Sequence, residues 1–138
     1  MFVTRVQNDW YALALDEARR IVRLRRSSRR SESAAGLVRT FDELLADLER
    51  LVPQTSRGSY GLLQDMRAAP MLDNPEQAAV MPALAAKLAA GWRRYGILVQ
   101  TPIGKLQARR TGTAPAQSGG PAVFSDEIEA LNYLQAPA

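Results

Sequence analysis

YGILVQTPIGKLQARR, residues 95–110, decides the fold. Tyr95 to Gln100 is the clearest buried strand in the chain, a short apolar run that never alternates with polar residues. Thr101-Pro102 follows at once, a hydroxyl cap and a proline suited to a first helical turn. The helix so opened is expected to run through Lys105 to about Arg110. A strand passing directly into a helix is one βα unit, and its neighbours repeat the form.

Upstream, Tyr60 to Met66 (YGLLQDM) reads as a second buried strand, with Asp65 at its C-terminal end. Arg67 to Leu72 connects it to Asp73-Asn74-Pro75-Glu76, where an Asx cap, a proline and an acid start a helix. Met81, Leu84, Leu88 and Trp92 continue that helix as a buried stripe, and Pro82 within it is expected to kink it or delay its start. Downstream, Thr111 to Pro121 is uncharged and rich in Gly, Pro and Ala, and predicts a mobile loop. Ala122 to Phe124 is a short last strand, and Ser125-Asp126-Glu127 caps a final helix with Ile128, Leu131 and Leu134 facing inward.

The first half differs. Phe2–Val6, Trp10–Leu15 and Ile21–Arg25 predict three strands joined by turns, with Tyr11, Leu13 and Leu15 on one face and Val22 and Leu24 opposite Ile21, Arg23 and Arg25. Leu37, Phe41, Leu44, Leu48 and Leu51 then recur at helical spacing until Pro53, with Asp42, Glu43, Asp47 and Glu49 on the wet side. Alternating strand and helix over the last part of the chain argues for parallel strands with crossovers. The expected fold class is α/β: a mixed sheet with an N-terminal antiparallel hairpin followed by parallel βα units. A length of 138 residues fits one domain, 1–138, and 46% apolar residues suffice for a core.

Composition narrows function. There is no cysteine and no histidine. Thiolate nucleophiles, cysteine-ligated zinc and histidine acid–base chemistry are therefore absent, and the expectation is a chain that is not an enzyme and carries no metal or cofactor. No run of 18 apolar residues occurs, and MFVTRVQNDW lacks a charged-then-apolar export pattern, so the expected compartment is the cytoplasm.

The net charge is +4, and of 18 basic residues only Lys87 and Lys105 are lysines. RRIVRLRRSSRR, residues 19–30, concentrates Arg19, Arg20, Arg23, Arg25, Arg26, Arg29 and Arg30. The preferred reading makes Arg23 and Arg25 the solvent face of a half-buried strand that guards against edge pairing, with Arg26 to Arg30 in a loop. The alternative reading is a basic patch for an anionic surface, nucleic acid or membrane, ranked second because no aromatic is interleaved for base stacking. Thr101, Gly104 and Lys105 together form a minor candidate anion site at a helix start, without the glycine spacing of a nucleotide loop. Asp65 sits where open α/β sheets place ligands, although the lysine of a receiver site is missing at Phe124-Ser125. Trp10, Trp92 and Tyr95 are expected as core or dimer contacts.

YGLLQDM, MLDNPEQAAVM (71–81), YGILVQTPIGKLQARR and VFSDEIEALNYL (123–134) together resemble the STAS superfamily, and within it the small bacterial SpoIIAA-like proteins, over residues 10–136. The closing stretch is similar to that family's through Phe124, Ala130, Leu131, Tyr133 and Leu134. The resemblance implies a non-catalytic regulatory module akin to anti-sigma-factor antagonists, with a protein partner docking on Met71, Leu72, Asp73, Asn74 and Glu76; a homodimer is also compatible. In the phospho-switch members an Asp-Ser-(Ser/Thr)-Gly loop carries the phosphorylated serine. Here Asn74 stands at the serine position and Pro75 removes a backbone N–H, so that switch is not expected. Members without the switch share their fold with lipid-carrier domains, which leaves a small hydrophobic ligand as a further alternative.

Overall fold

An antiparallel meander opens the chain and a parallel half-sheet completes it in the computed structural model, which describes residues 1–100 and 121–136. The strands are β1 (Val3–Gln7), β2 (Tyr11–Asp16), β3 (Ile21–Arg26), β4 (Gly61–Asp65), β5 (Arg94–Leu98) and β6 (Ala122–Phe124). They form one six-stranded sheet in sequence order. β1–β2 and β2–β3 pair antiparallel; β3–β4, β4–β5 and β5–β6 pair parallel. The helices are α1 (Ala34–Leu51), α2 (Pro75–Ala89) and α3 (Glu127–Gln135), with a 3-10 turn at Gln54–Ser59. The mixed α/β architecture expected from the sequence is the one found.

The sheet is covered on both faces, which is why its central strands read as unbroken apolar runs. On one face Tyr11, Leu13, Val22, Leu24, Leu62, Tyr95 and Ile97 meet Phe41, Leu44 and Leu48 of α1 and Leu84 and Leu88 of α2. On the other, Ile21, Leu63 and Leu98 meet Ala130 and Leu134 of α3. The Tyr11 hydroxyl donates to Asp47 Oδ2 of α1 at 2.5 Å; burial and that carboxylate push its pKa up to about 12.

Local signals explain the helix ends. Ser33 Oγ accepts from Gly36 N at the start of α1, and Asn74 Oδ1 accepts from Glu76 N and Gln77 N at the start of α2. α2 begins at Pro75 and continues past Pro82, so the proline does not delay it. Pro82 lies on the exposed side, where water can take the place of the missing backbone bond. The inward face of α3 departs from expectation. Ala130 and Leu134 are fully buried, whereas Ile128 is 70% exposed. With Leu134 inward, a residue six positions earlier lies about 120° round the helix and falls off the buried face.

β3 also departs from expectation. It is an inner strand, flanked by β2 and β4, so its arginines do not guard an edge, and its second face is not simply wet. Arg26 is its last residue, buried and not in a loop. The helix expected over 101–110 and the loop expected from 111 lie outside the described residues.

Candidate functional site

The arginine run divides between the two faces of the sheet. Because strand residues alternate, Arg23 and Arg25 fall on the α3 face and Arg26 on the α1/α2 face. Arg19 pairs with Asp16 at 2.6 Å, Arg25 with Asp65 at 3.1 Å, Arg29 with Asp9 at 3.1 Å and Arg30 with Asp73 at 3.3 Å. The Arg19 and Arg23 guanidiniums lie over the Phe2 ring and that of Arg29 lies over Trp10. Arg20 is exposed in the β2–β3 turn, with φ at 55°. The seven cations are thus neighbours in sequence without forming one surface.

Asp65 is 2% exposed at the C-terminal end of β4. Arg67 clasps it with Nε at 3.0 Å and Nη2 at 2.8 Å, donates its backbone N–H at 3.1 Å, and reaches Glu127 of α3 at 3.0 Å. Arg25 donates from β3, its register partner. Burial alone would raise the carboxyl's pKa; Arg67 and Arg25 outweigh it and hold Asp65 below the ordinary carboxylate range. Every lone-pair direction is engaged by an arginine, so this aspartate ties the end of β4 to β3 and α3 and is not presented to a ligand.

The segment suggested for partner docking forms the turn before α2. Met71, Asp73, Asn74 and Glu76 are exposed and Leu72 is half-buried. Met71 is 61% exposed, an unusual place for an unbranched apolar side chain. The turn is held at three points. Arg30 Nη1 donates to Met71 O at 3.2 Å and to Asp73 Oδ1; Asn74 caps α2; and buried Gln77 donates from Nε2 to Ser31 O at 3.0 Å. Asn74's side-chain oxygen is fully occupied as a cap acceptor.

Behind this turn lies a cavity of about 520 Å³ between the start of α1, the start of α2 and the end of β3. Leu37, Met66, Leu72 and Met81 supply apolar wall, and Arg26 and Ser31 supply polar atoms. Arg26 is 8% exposed and its Nε has no hydrogen-bond partner; the Ser31 hydroxyl, on a residue also 8% exposed, has none either. Burial pushes the Arg26 pKa below the usual arginine value. The sequence reading placed Arg26 in a solvated loop and passed over Ser31. The signal was present in the stripe Val22–Leu24–Arg26, whose period of two carries the core face of β3 straight to the guanidinium. Thr101, Gly104 and Lys105 lie outside the described residues.

No family model and no curated protein matches the chain. Among solved structures it is similar to an uncharacterized protein of the DUF3478 family from Shewanella loihica PV-4, described as having a SpoIIAA-like fold. The two share 14% identity and a TM-score of 0.59, over 97% of this chain and 92% of that one. Sequential strands, an antiparallel start, parallel βα units and a helix on the reverse face agree with that likeness: the chain has a SpoIIAA-like fold.

Proposed function

We propose that the chain is a non-catalytic interaction module that offers the Met71–Glu76 turn and the start of α2 to a protein partner. The observation that carries this reading is the turn itself. An exposed methionine stands beside exposed Asp73 and Glu76 on a backbone fixed by Arg30, Asn74 and Gln77. Such a surface loses little conformational freedom on docking, and an exposed apolar anchor within a polar rim is the usual composition of an interface centre. A non-catalytic role accords with a sequence that holds neither histidine nor cysteine. Phosphorylation at Asn74 is not part of the proposal, since its side chain cannot accept a phosphoryl group and is committed to the cap. An anionic-polymer surface is less well supported, because four of the seven arginines of residues 19–30 are already ion-paired.

The test is affinity capture from the native lysate with Met71→Glu and Asp73→Lys, beside Arg5→Ala as a distant surface control. Met71→Glu replaces an exposed side chain that caps nothing, and Asp73→Lys gives up only the exposed pair with Arg30, worth about 0–1 kcal/mol, so the melting temperature should stay within about 3 °C of wild type. A partner captured by wild type and Arg5→Ala, and lost from both turn variants, supports the reading. Equal recovery by all four proteins refutes it.

A further inference from the structure

Two buried arginines of this chain have opposite surroundings. Arg57 is 3% exposed and satisfied: Nε donates to Val52 O at 3.2 Å, Nη2 approaches Glu49 at 3.4 Å, and the guanidinium carbon lies 5.0 Å from the Trp92 ring centre. Arg26 is 8% exposed, its buried Nε has no hydrogen-bond partner, and no ion pair or ring stacking engages it among the described residues. An ion taken out of water without a counter-charge costs several kcal/mol. A fold that satisfies one guanidinium so fully and leaves the other bare has a place for a missing partner.

The surroundings say what that partner is. Ser31, whose hydroxyl is buried and unpaired, lines the same cavity. Asn74, the cap of α2, and Leu37, near the start of α1, also line it. Of the two acids on its rim, Asp73 is paired with Arg30 and Glu32 is exposed to solvent. Arg30 and Gln77 also line it, engaged with Asp73 and with Ser31 O, and the rest of the wall is apolar. The volume of about 520 Å³ falls among small-molecule sites and exceeds what one inorganic ion needs.

We propose that this cavity binds a small organic oxyanion, its carboxylate or phosphate on Arg26 and Ser31 and a short apolar body against Leu37, Met66, Leu72 and Met81. The inference stands apart from the docking proposal, although Met71, Leu72, Asp73 and Asn74 belong to both surfaces. Arg26 would act as a forked donor, suited to two oxygens of one group. The ligand would also bridge the β3–α1 and β4–α2 connections.

The experiment is thermal melting and calorimetric titration of the whole chain with octanoate, phenyl phosphate and the uncharged octanamide. Saturable stabilisation by octanoate or phenyl phosphate, about 9 °C at a hundredfold excess over Kd, with none from octanamide, is expected. Comparing the two acids tells carboxylate from phosphate. Arg26→Met should abolish the response while leaving the unliganded melting temperature unchanged or higher, because it removes a bare buried charge. Ser31→Ala should weaken binding about tenfold. The proposal is overturned if neither acid stabilises the protein, if octanamide acts equally, or if Arg26→Met, or Arg26→Gln should the methionine variant fail to fold, binds the acids as wild type does. Glu76→Gln alters the docking turn at a residue outside the cavity lining, so its ligand response separates a failure of this site from a failure of partner docking.

Discussion

Replacing Asp65 with asparagine should cost about 2 kcal/mol at neutral pH and almost nothing at pH 2.5. The carboxylate is 2% exposed and receives three bonds from Arg67 and one from Arg25. Removing one partner of a fully buried pair costs about 3–5 kcal/mol, whereas surface pairs are worth about 0–1. Here the anion is buried but its cations are not, since the Arg25 and Arg67 side chains are 46% and 40% exposed. They keep part of their hydration when the negative charge goes. Asparagine also preserves the shape and one acceptor for the Arg67 backbone N–H. The expected loss therefore lies between the two limits.

The pH dependence separates charge from packing. Asp65 is held below its unfolded value, which for aspartate is about 3.9. A carboxyl with a depressed pKa contributes stability that is present above the unfolded pKa and disappears as pH falls through the folded one. Wild type therefore loses this contribution on acidification below about pH 4. The variant has none to lose, and the two stability curves converge. Urea unfolding from pH 7 to 2.5, followed by circular dichroism with equal m-values for both proteins, measures the gap directly. A gap below about 0.5 kcal/mol at pH 7 would refute the electrostatic account. A gap that persists unchanged at pH 2.5 would assign the loss to packing instead. Arg67→Ala in the wild-type and Asp65→Asn backgrounds should give a coupling energy of about 1–2 kcal/mol.

Two further substitutions test local geometry. Gly91 follows α2 with φ at 90°, and an added Cβ would lie 3.0 Å from Gln54 Nε2, so Gly91→Ala should lower stability by about 1–2 kcal/mol in urea unfolding. Asn74→Ala removes the acceptor for two backbone N–H groups and should cost about 1 kcal/mol, with faster amide exchange confined to the first turn of α2. The same substitution is a poor probe of partner docking, because lost capture could then be read as a frayed helix.

The architecture was largely legible because it rests on patterns that one residue can signal to the next. YGLLQDM and YGILVQ read as inner strands since both faces of the sheet are covered, and unbroken apolar runs are what such strands require. Ser33, Asn74 and Asp126 cap their helices through contacts two or three residues away, and local contacts leave local signatures. Ile128 was misplaced because a short helix offers two nearly equivalent apolar faces, and only the position of Leu134 against Gly61 and Gly96 selects one. That selection is a tertiary fact.

The charged residues were far less legible, and the reason is physical. The energy of a guanidinium depends on what stands opposite it, and that is set by pairings forty residues apart, such as Arg25 with Asp65 or Arg30 with Asp73. A run of seven arginines therefore reads as one feature in sequence and resolves into several in space. Some hold turns, one helps to lock Asp65 beneath α3, and one lies bare at the end of a core stripe. Density of charge along the chain was the conspicuous signal, yet the informative one was the period-two step from Leu24 to Arg26. A cation that continues an apolar stripe has been taken out of water by its neighbours. Unless the fold supplies an anion, as Glu49 does for Arg57, the site is chemically incomplete without one.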